Sequence, residues 1–285
     1  MIKRRIGQIY GMAQNFIKVN YLGFIKGHSY LKPEEIADLC KYVGMADDDL
    51  VKRYEQEFSN LIGDGNCISY ATARMGFFDL MRSIGVGKNP NDEVVLLGFT
   101  CAVMVNAVNR VGAKPIFSDV DPNTFGSSLA GIEAVVGNNT RMVVAQHSFG
   151  IPCEIEPIAA FCAEKNIFLL EDCALSLGSK WCEKTLGNFG DAALFSTDHT
   201  KPINTISGGL IYTRNVDLAN SLYKSKELCE SLSIEREEAL WRRFLFEQKN
   251  CTPSRFGRVG LFDFLFAIQK KILGRRDDFL DEDSG

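Results

Sequence analysis

The stretch FSTDHTKPINTISGG, residues 195–209, sets one lysine, Lys201, among small hydroxyl residues, just before a proline and a few positions before a glycine pair. The apolar runs DAALF and LIYT on either side read as strands, so the ammonium falls between two core elements rather than on a solvated helix face. A lysine held among apolar and neutral groups gives up its proton more readily, and the neutral amine can add to a carbonyl carbon. Ser196, five residues earlier, offers a hydroxyl suited to a phosphate oxygen.

Two further groups could act with this lysine. Asp172 closes the apolar run FLLEDCA, which places a carboxylate at the buried end of a strand, where it stays ionised only beside a cation. The alternative for Asp172 is a helix N-cap before ALSLG. In SYATARMG a short strand passes into a helix, and backbone N–H groups around Ala73 and Arg74 could hold a phosphate, with the Arg74 guanidinium adding a charge-assisted bond. Capping alone would also account for the small residues of that turn. An aldehyde on Lys201, a phosphate on Ser196 and the Ala73 turn, and a protonated ring nitrogen on Asp172 bring the three sites under one cofactor, pyridoxal phosphate.

The elements that must position these groups alternate along the chain. After two leading helices, in LKPEEIADLCKYVG and DDDLVKRYEQEFSNLIG, the second with Leu50, Tyr54, Phe58 and Leu61 expected on one face, strands and helices follow in turn from NCISYA to IFLLEDC. This is the pattern of βαβ units, so the fold class is α/β, with a mostly parallel central sheet flanked by helices. AALFST and GGLIYTR, on either side of Lys201, predict an antiparallel excursion. We expect a helical lead-in over residues 1–48, a ligand-binding domain over 49–215 and a helical segment over 216–285. In parallel α/β sheets ligands sit at the carboxyl ends of the strands, where all four candidate groups fall.

In this order the segments SYATARMGFFDLMRSIGVG, DEVVLLGFTCAVMVNAVNRVGAKPIFSDVDPNTF, QHSFGIPCEIEPIAAFCAEKNIFLLEDCALSLGS and GNFGDAALFSTDHTKPINTISGGLIYT resemble the DegT/DnrJ-type sugar aminotransferases, pyridoxal-phosphate enzymes of the aspartate aminotransferase fold. The resemblance covers about residues 50–214. It implies Lys201 as the internal aldimine lysine, Asp172 as the partner of the pyridinium nitrogen, Ser196 with Ala73 and Arg74 as the phosphate site, and Cys101 where an aromatic residue often stacks on the cofactor ring. Leu175 stands where a glutamine or histidine is common. The activity implied is transfer of an amino group, from an amino acid such as glutamate, to a nucleotide-linked keto-sugar in polysaccharide or glycoconjugate synthesis, by a homodimer. The family's Gly-x-Asn-x-Arg segment is not found, so the small C-terminal domain is expected to be absent or truncated. Two other readings stay open: a non-catalytic binding or assembly subunit, and a sugar dehydratase or isomerase using the same cofactor. A histidine replaces the lysine in dehydratase relatives, which disfavours that chemistry here.

Bulk composition agrees with an enzyme of this kind. At 285 residues and 46% hydrophobic, the chain can bury a large core, and a formal charge of −4 without a basic stripe argues against a general nucleic-acid binder. Nine cysteines without a CxxC pair or zinc spacing point to free thiols in a cytoplasmic protein. No apolar run suits a membrane span and no signal peptide is evident. Residues 1–30 carry five basic side chains and no acid, which fits a packed N-terminal helix or, alternatively, a membrane-surface or partner-binding segment. His147 reads as a hydrogen-bonded core histidine, and His199 as a residue lining the site.

Overall fold

A computed structural model describes residues 31–42, 48–198, 201–229 and 232–250. The expectations for residues 1–30 and for His199 lie outside them. The chain divides into two compact units, Met45–Glu230 and Met1–Gly44 with Ser231–Gly285. In the second unit, helix α1 (Pro33–Leu39) starts with a proline at its first turn, and Glu35 Oε2 accepts the Lys32 N–H at 2.6 Å.

The larger unit is built on a seven-stranded sheet. Its strands are β1 (Asn66–Tyr70), β2 (Glu93–Leu97), β3 (Lys114–Ser118), β4 (Thr140–Gln146), β5 (Phe168–Asp172), β8 (Ala192–Ser196) and β9 (Gly209–Thr213), in the spatial order β1-β9-β8-β5-β4-β2-β3. A separate two-stranded piece pairs β6 (Lys180–Trp181) with β7 (Lys184–Thr185). Strands β2, β3, β4, β5 and β8 pair in parallel, while β9 runs antiparallel to both β8 and β1. The antiparallel excursion around Lys201 is therefore the β8–β9 connection.

Burial explains why these segments read as nearly continuous apolar runs. Both faces of the sheet are covered, so alternate residues serve opposite cores. Val95, Val143, Leu169, Phe195 and Tyr212 face one cluster, filled by Phe58 and Ile62 around α2 (Asp48–Asn60), Ile132 of α5 (Leu129–Glu133) and Ile155, Ile158 and Cys162 of α6 (Ile155–Lys165). Val94, Leu96, Met142, Leu170, Leu194 and Ile211 face the other, filled by Phe77, Leu80 and Met81 of α3 (Ala73–Ser83), Met104 and Val108 of α4 (Ala102–Val111) and Leu222 of α7 (Val216–Glu227). Helix α7 thus packs on the sheet as part of the larger unit, while α8 (Ile234–Asn250) belongs to the other.

One helix face differs from the sequence expectation. Tyr54 and Phe58 pack inward, but Leu50 and Leu61 are exposed at 45% and 59%, and Ile62 is buried in their place. The buried stripe is rotated because Glu55, only 4% exposed, is drawn in: its Oε1 accepts from Ser69 N (2.7 Å), Ser69 Oγ (2.7 Å) and Lys226 Nζ (2.6 Å). A buried carboxylate with three donors holds α2 to β1 and α7, and that polar anchor outweighs the apolar periodicity.

Candidate active site

The carboxyl ends of β5 and β8, the start of β9 and the first turn of α3 meet at one end of the sheet. Register fixes their order: Asp172 pairs with Leu194, Ser196 pairs with Gly209, and Gly209 pairs with Tyr70, three residues before Ala73. Gly209 lies so close to the backbone of Ala73 that a Cβ would overlap its N and Cα. Ser196 and the Ala73 turn are therefore brought together across a strand that has no side chain at that point.

Helix α3 begins where Thr72, in an extended conformation, turns its Oγ1 to accept the Met75 N–H at 3.3 Å. First-turn N–H groups of a helix lack intrahelical partners and carry the positive end of the helix dipole, a setting suited to a phosphate. Ser196 Oγ is 3.5 Å from the Asp198 N–H, and Ser207 Oγ donates to Ala71 O at 2.7 Å, tying the Lys201 connection to the same turn.

Asp172 is 8% exposed, and its Oδ1 accepts the Ala174 N–H at 3.0 Å. The turn at Ala174 opens no helix among the described residues, so Asp172 is not an N-cap. Burial raises the Asp172 pKa above the usual carboxylate range, opposed by the Ala174 N–H and by the Lys201 charge. The Lys201 charge thus acts on Asp172. A buried carboxylate whose charge is under-compensated has electrostatic capacity left for a cationic ring nitrogen.

Glu171, the next residue back, points to the opposite face and is fully buried. Its Oε1 accepts from Phe189 N (2.6 Å) and Gly190 N (2.8 Å), and its Oε2 from Gly187 N (2.8 Å), with His147 Nε2 at 3.3 Å. Cys153 N donates to His147 Nδ1 at 3.2 Å, so the ring proton belongs on Nε2, facing Glu171. Cys173 Sγ completes a cluster within 4.8 Å, but its thiol is pushed well above its ordinary pKa by burial and the carboxylate is already engaged by N–H donors. This is a structural network rather than a metal centre, and His147 is a core histidine here.

Cys101 lies on the same rim, two strands along. It is exposed, caps α4 with extended backbone and makes no side-chain cap bond. Leu175, after β5, is 39% exposed. Sequence reasoning missed the hydroxyls of Thr197 and Thr205 and the close approach of Gly209. Their signals, a run of small hydroxyl residues and a glycine pair, are common in ordinary turns.

The residues present fit pyridoxal phosphate: a buried carboxylate on which a lysine charge acts, and a serine whose register partner, a glycine, clears a helix start. The comparisons agree. A profile of the DegT/DnrJ/EryC1/StrS aminotransferase family, whose members are pyridoxal-phosphate-dependent, matches residues 34–242. GDP-perosamine synthase of Escherichia coli O157:H7 is 36% identical over 186 residues, 65% of this chain and 50% of that protein. The spore coat polysaccharide biosynthesis protein SpsC of Bacillus subtilis (strain 168) is 28% identical over 86% of this chain and 61% of that protein. The crystal structure of the aminotransferase TlmJ from Streptoalloteichus hindustanus superposes with a TM-score of 0.66 at 30% identity, covering 71% of this chain and 56% of that one. The chain spans half to three-fifths of the length of the two curated relatives. On the extent of the profile match, the chain belongs to the DegT/DnrJ/EryC1/StrS aminotransferase family.

Proposed function

We propose that this chain carries the cofactor-binding part of a pyridoxal-phosphate-dependent aminotransferase that moves an amino group from an amino acid, glutamate in the simplest case, to a nucleotide-linked keto-sugar. The observation that carries the reading is a buried, under-compensated Asp172, on which the Lys201 charge acts, at the end of the sheet where Ser196, Gly209 and Ala73 converge. Relatives whose names specify amination of GDP-, UDP- or dTDP-linked sugars support the substrate class. The natural setting on this reading is polysaccharide or glycoconjugate synthesis in the cytoplasm, by a homodimer.

When bound, the cofactor supplies an electron sink for carbanion chemistry beside the amino nitrogen. Lys201 Nζ would hold the cofactor, and its amine would move a proton as a general acid and base. Asp172 would favour a protonated ring nitrogen. Ser196 and the Ala73–Arg74 turn would hold the phosphate, and Cys101 would lie on the ring's side of the site.

The test is borohydride reduction of the purified chain with pyridoxal phosphate, followed by mass mapping. A reduced adduct on Lys201, absent from Lys201→Ala, supports the reading, and no adduct on the chain or on a longer form overturns it. Product analysis with and without glutamate then separates transamination from elimination or isomerisation, because only transamination consumes the donor stoichiometrically.

A further inference from the structure

The connection that carries Lys201 is closed at its base by a set of bonds that the cofactor reading does not use. Thr197, at the end of β8, donates its N–H to Gly208 O at 3.0 Å, and its carbonyl accepts from Thr205 N at 2.8 Å and Thr205 Oγ1 at 3.0 Å. The two threonine hydroxyls are 2.7 Å apart, and Thr205 Oγ1 is also 3.1 Å from Ser207 O. A hydroxyl has one proton to give. With Thr205 donating to a carbonyl, Thr197 Oγ1 donates to Thr205 Oγ1, and the pair forms a single relay. Gly208 leaves the space for it, since a Cβ there would overlap both hydroxyl oxygens.

Backbone strain accompanies this closure. Ile206, buried at 3%, is β-branched and yet sits at φ 68°, a left-handed conformation that L-residues with branched side chains rarely adopt. Such a conformation persists only where its surroundings over-determine it. Here the Ile206 N–H donates to Asn204 Oδ1 at 2.7 Å, and the bonds of Thr205 and Ser207 fix the residues on either side. Lys201 lies within the segment so closed, half-buried, with its N–H on Asp198 O at 2.9 Å. A lysine side chain has four rotatable bonds, so its end is placed near Asp172 only if its backbone is held.

Resting on the assignment of Lys201 as the cofactor-bearing lysine, we propose that Thr197 and Thr205 are positioning residues, whose paired hydroxyls hold the Lys201 segment in the conformation that presents the amine to the Asp172 end of the sheet.

The experiment compares the full chain with Thr197→Val, Thr205→Val and Thr205→Ser. Valine keeps the shape and removes the hydroxyl, whereas serine keeps the hydroxyl. Two quantities are read: amide hydrogen exchange of residues 201–207 without cofactor, and the rate at which pyridoxal phosphate becomes reducibly attached to Lys201. The valine variants should exchange about tenfold faster in this segment alone and attach about tenfold more slowly, the equivalent of one net hydrogen bond, with Thr205→Ser close to the parent. Attachment of the valine variants at the parent rate overturns the positioning role, whatever exchange shows. If the parent itself takes no cofactor on Lys201, the functional reading fails and exchange alone decides: faster exchange retains the clamp, and unchanged exchange removes it. Should a valine variant fail to fold, Thr205→Ser against Thr205→Ala makes the same comparison without the added methyl.

Discussion

Gly209 on β9 and Ala73 at the start of α3 are in backbone contact, with no room between them for a methyl group. Because Gly209 is also the register partner of Ser196, this contact sets the spacing between a hydroxyl and a helix N-terminus. Gly209→Ala should push the helix start away from Ser196. Overpacking of this kind costs about 1–3 kcal/mol, equivalent to a fall in melting temperature of roughly 2–12 °C for a unit of this size. Pyridoxal phosphate retention should fall by more than pyridoxal retention, since only the former needs the phosphate contacts. Equilibrium dialysis of both against parent and variant checks this, and equal losses would count against the assigned phosphate site.

Glu171 supports the site from behind. Its two oxygens take three backbone N–H groups from the 187–190 turn and face the His147 ring. Glu171→Gln leaves one acceptor oxygen and aims an NH₂ group at N–H donors. With at least one buried donor unsatisfied, the loss should be about 3 kcal/mol, or roughly 6–12 °C in melting temperature. A thermal melt decides it. A variant as stable as the parent would show that this network is not what fixes the strand carrying Asp172.

Much of this arrangement is legible in the sequence because the sheet is covered on both faces. Strands β2, β4, β5 and β8 appear as plain apolar runs, and a parallel sheet with its groups at strand ends follows from the alternation with helices. Asp172 and Ser196 could be singled out because each ends an apolar run, and Lys201 because it lies in the short polar connection between two such runs. The α2 face was not legible, since a single buried glutamate redirects the helix and its three donors come from β1 and α7, far along the chain. The Thr197–Thr205 pair was not legible for a related reason. Eight residues apart in a segment of mixed polar residues, they share no periodicity, and only the close approach at Gly208 brings their hydroxyls together.

Cys101 occupies the α4 N-cap without using its side chain there, so replacing it removes no capping bond. An aromatic ring at this exposed position should stack on the cofactor ring, an interaction worth about 0.5–1.5 kcal/mol. Cys101→Phe should therefore lower the dissociation constant for pyridoxal phosphate by up to about tenfold, with little change in the melting temperature of the cofactor-free chain. Fluorescence titration of parent and variant measures this. An unchanged constant would place the ring elsewhere than beside Cys101.

Asp172 gives the clearest separation of function from stability. Burial raises its pKa, so between the ordinary carboxylate value and the raised folded value the folded chain binds more protons than the unfolded chain. Stability therefore falls as pH rises through that window, and the deficit is complete above the folded value. Asp172→Asn removes the charge and keeps the Oδ1 that accepts the Ala174 N–H. Without cofactor, the variant should melt above the parent at neutral pH, and the difference should vanish on acidification below the ordinary carboxylate range, where Asp172 is protonated in both states. With cofactor the order should reverse, because the uncharged amide cannot keep the ring nitrogen protonated. Melting curves across pH with and without pyridoxal phosphate read both effects. A variant less stable than the parent in the cofactor-free state at neutral pH would mean that Lys201 already compensates the buried charge, leaving Asp172 no unspent attraction for the ring.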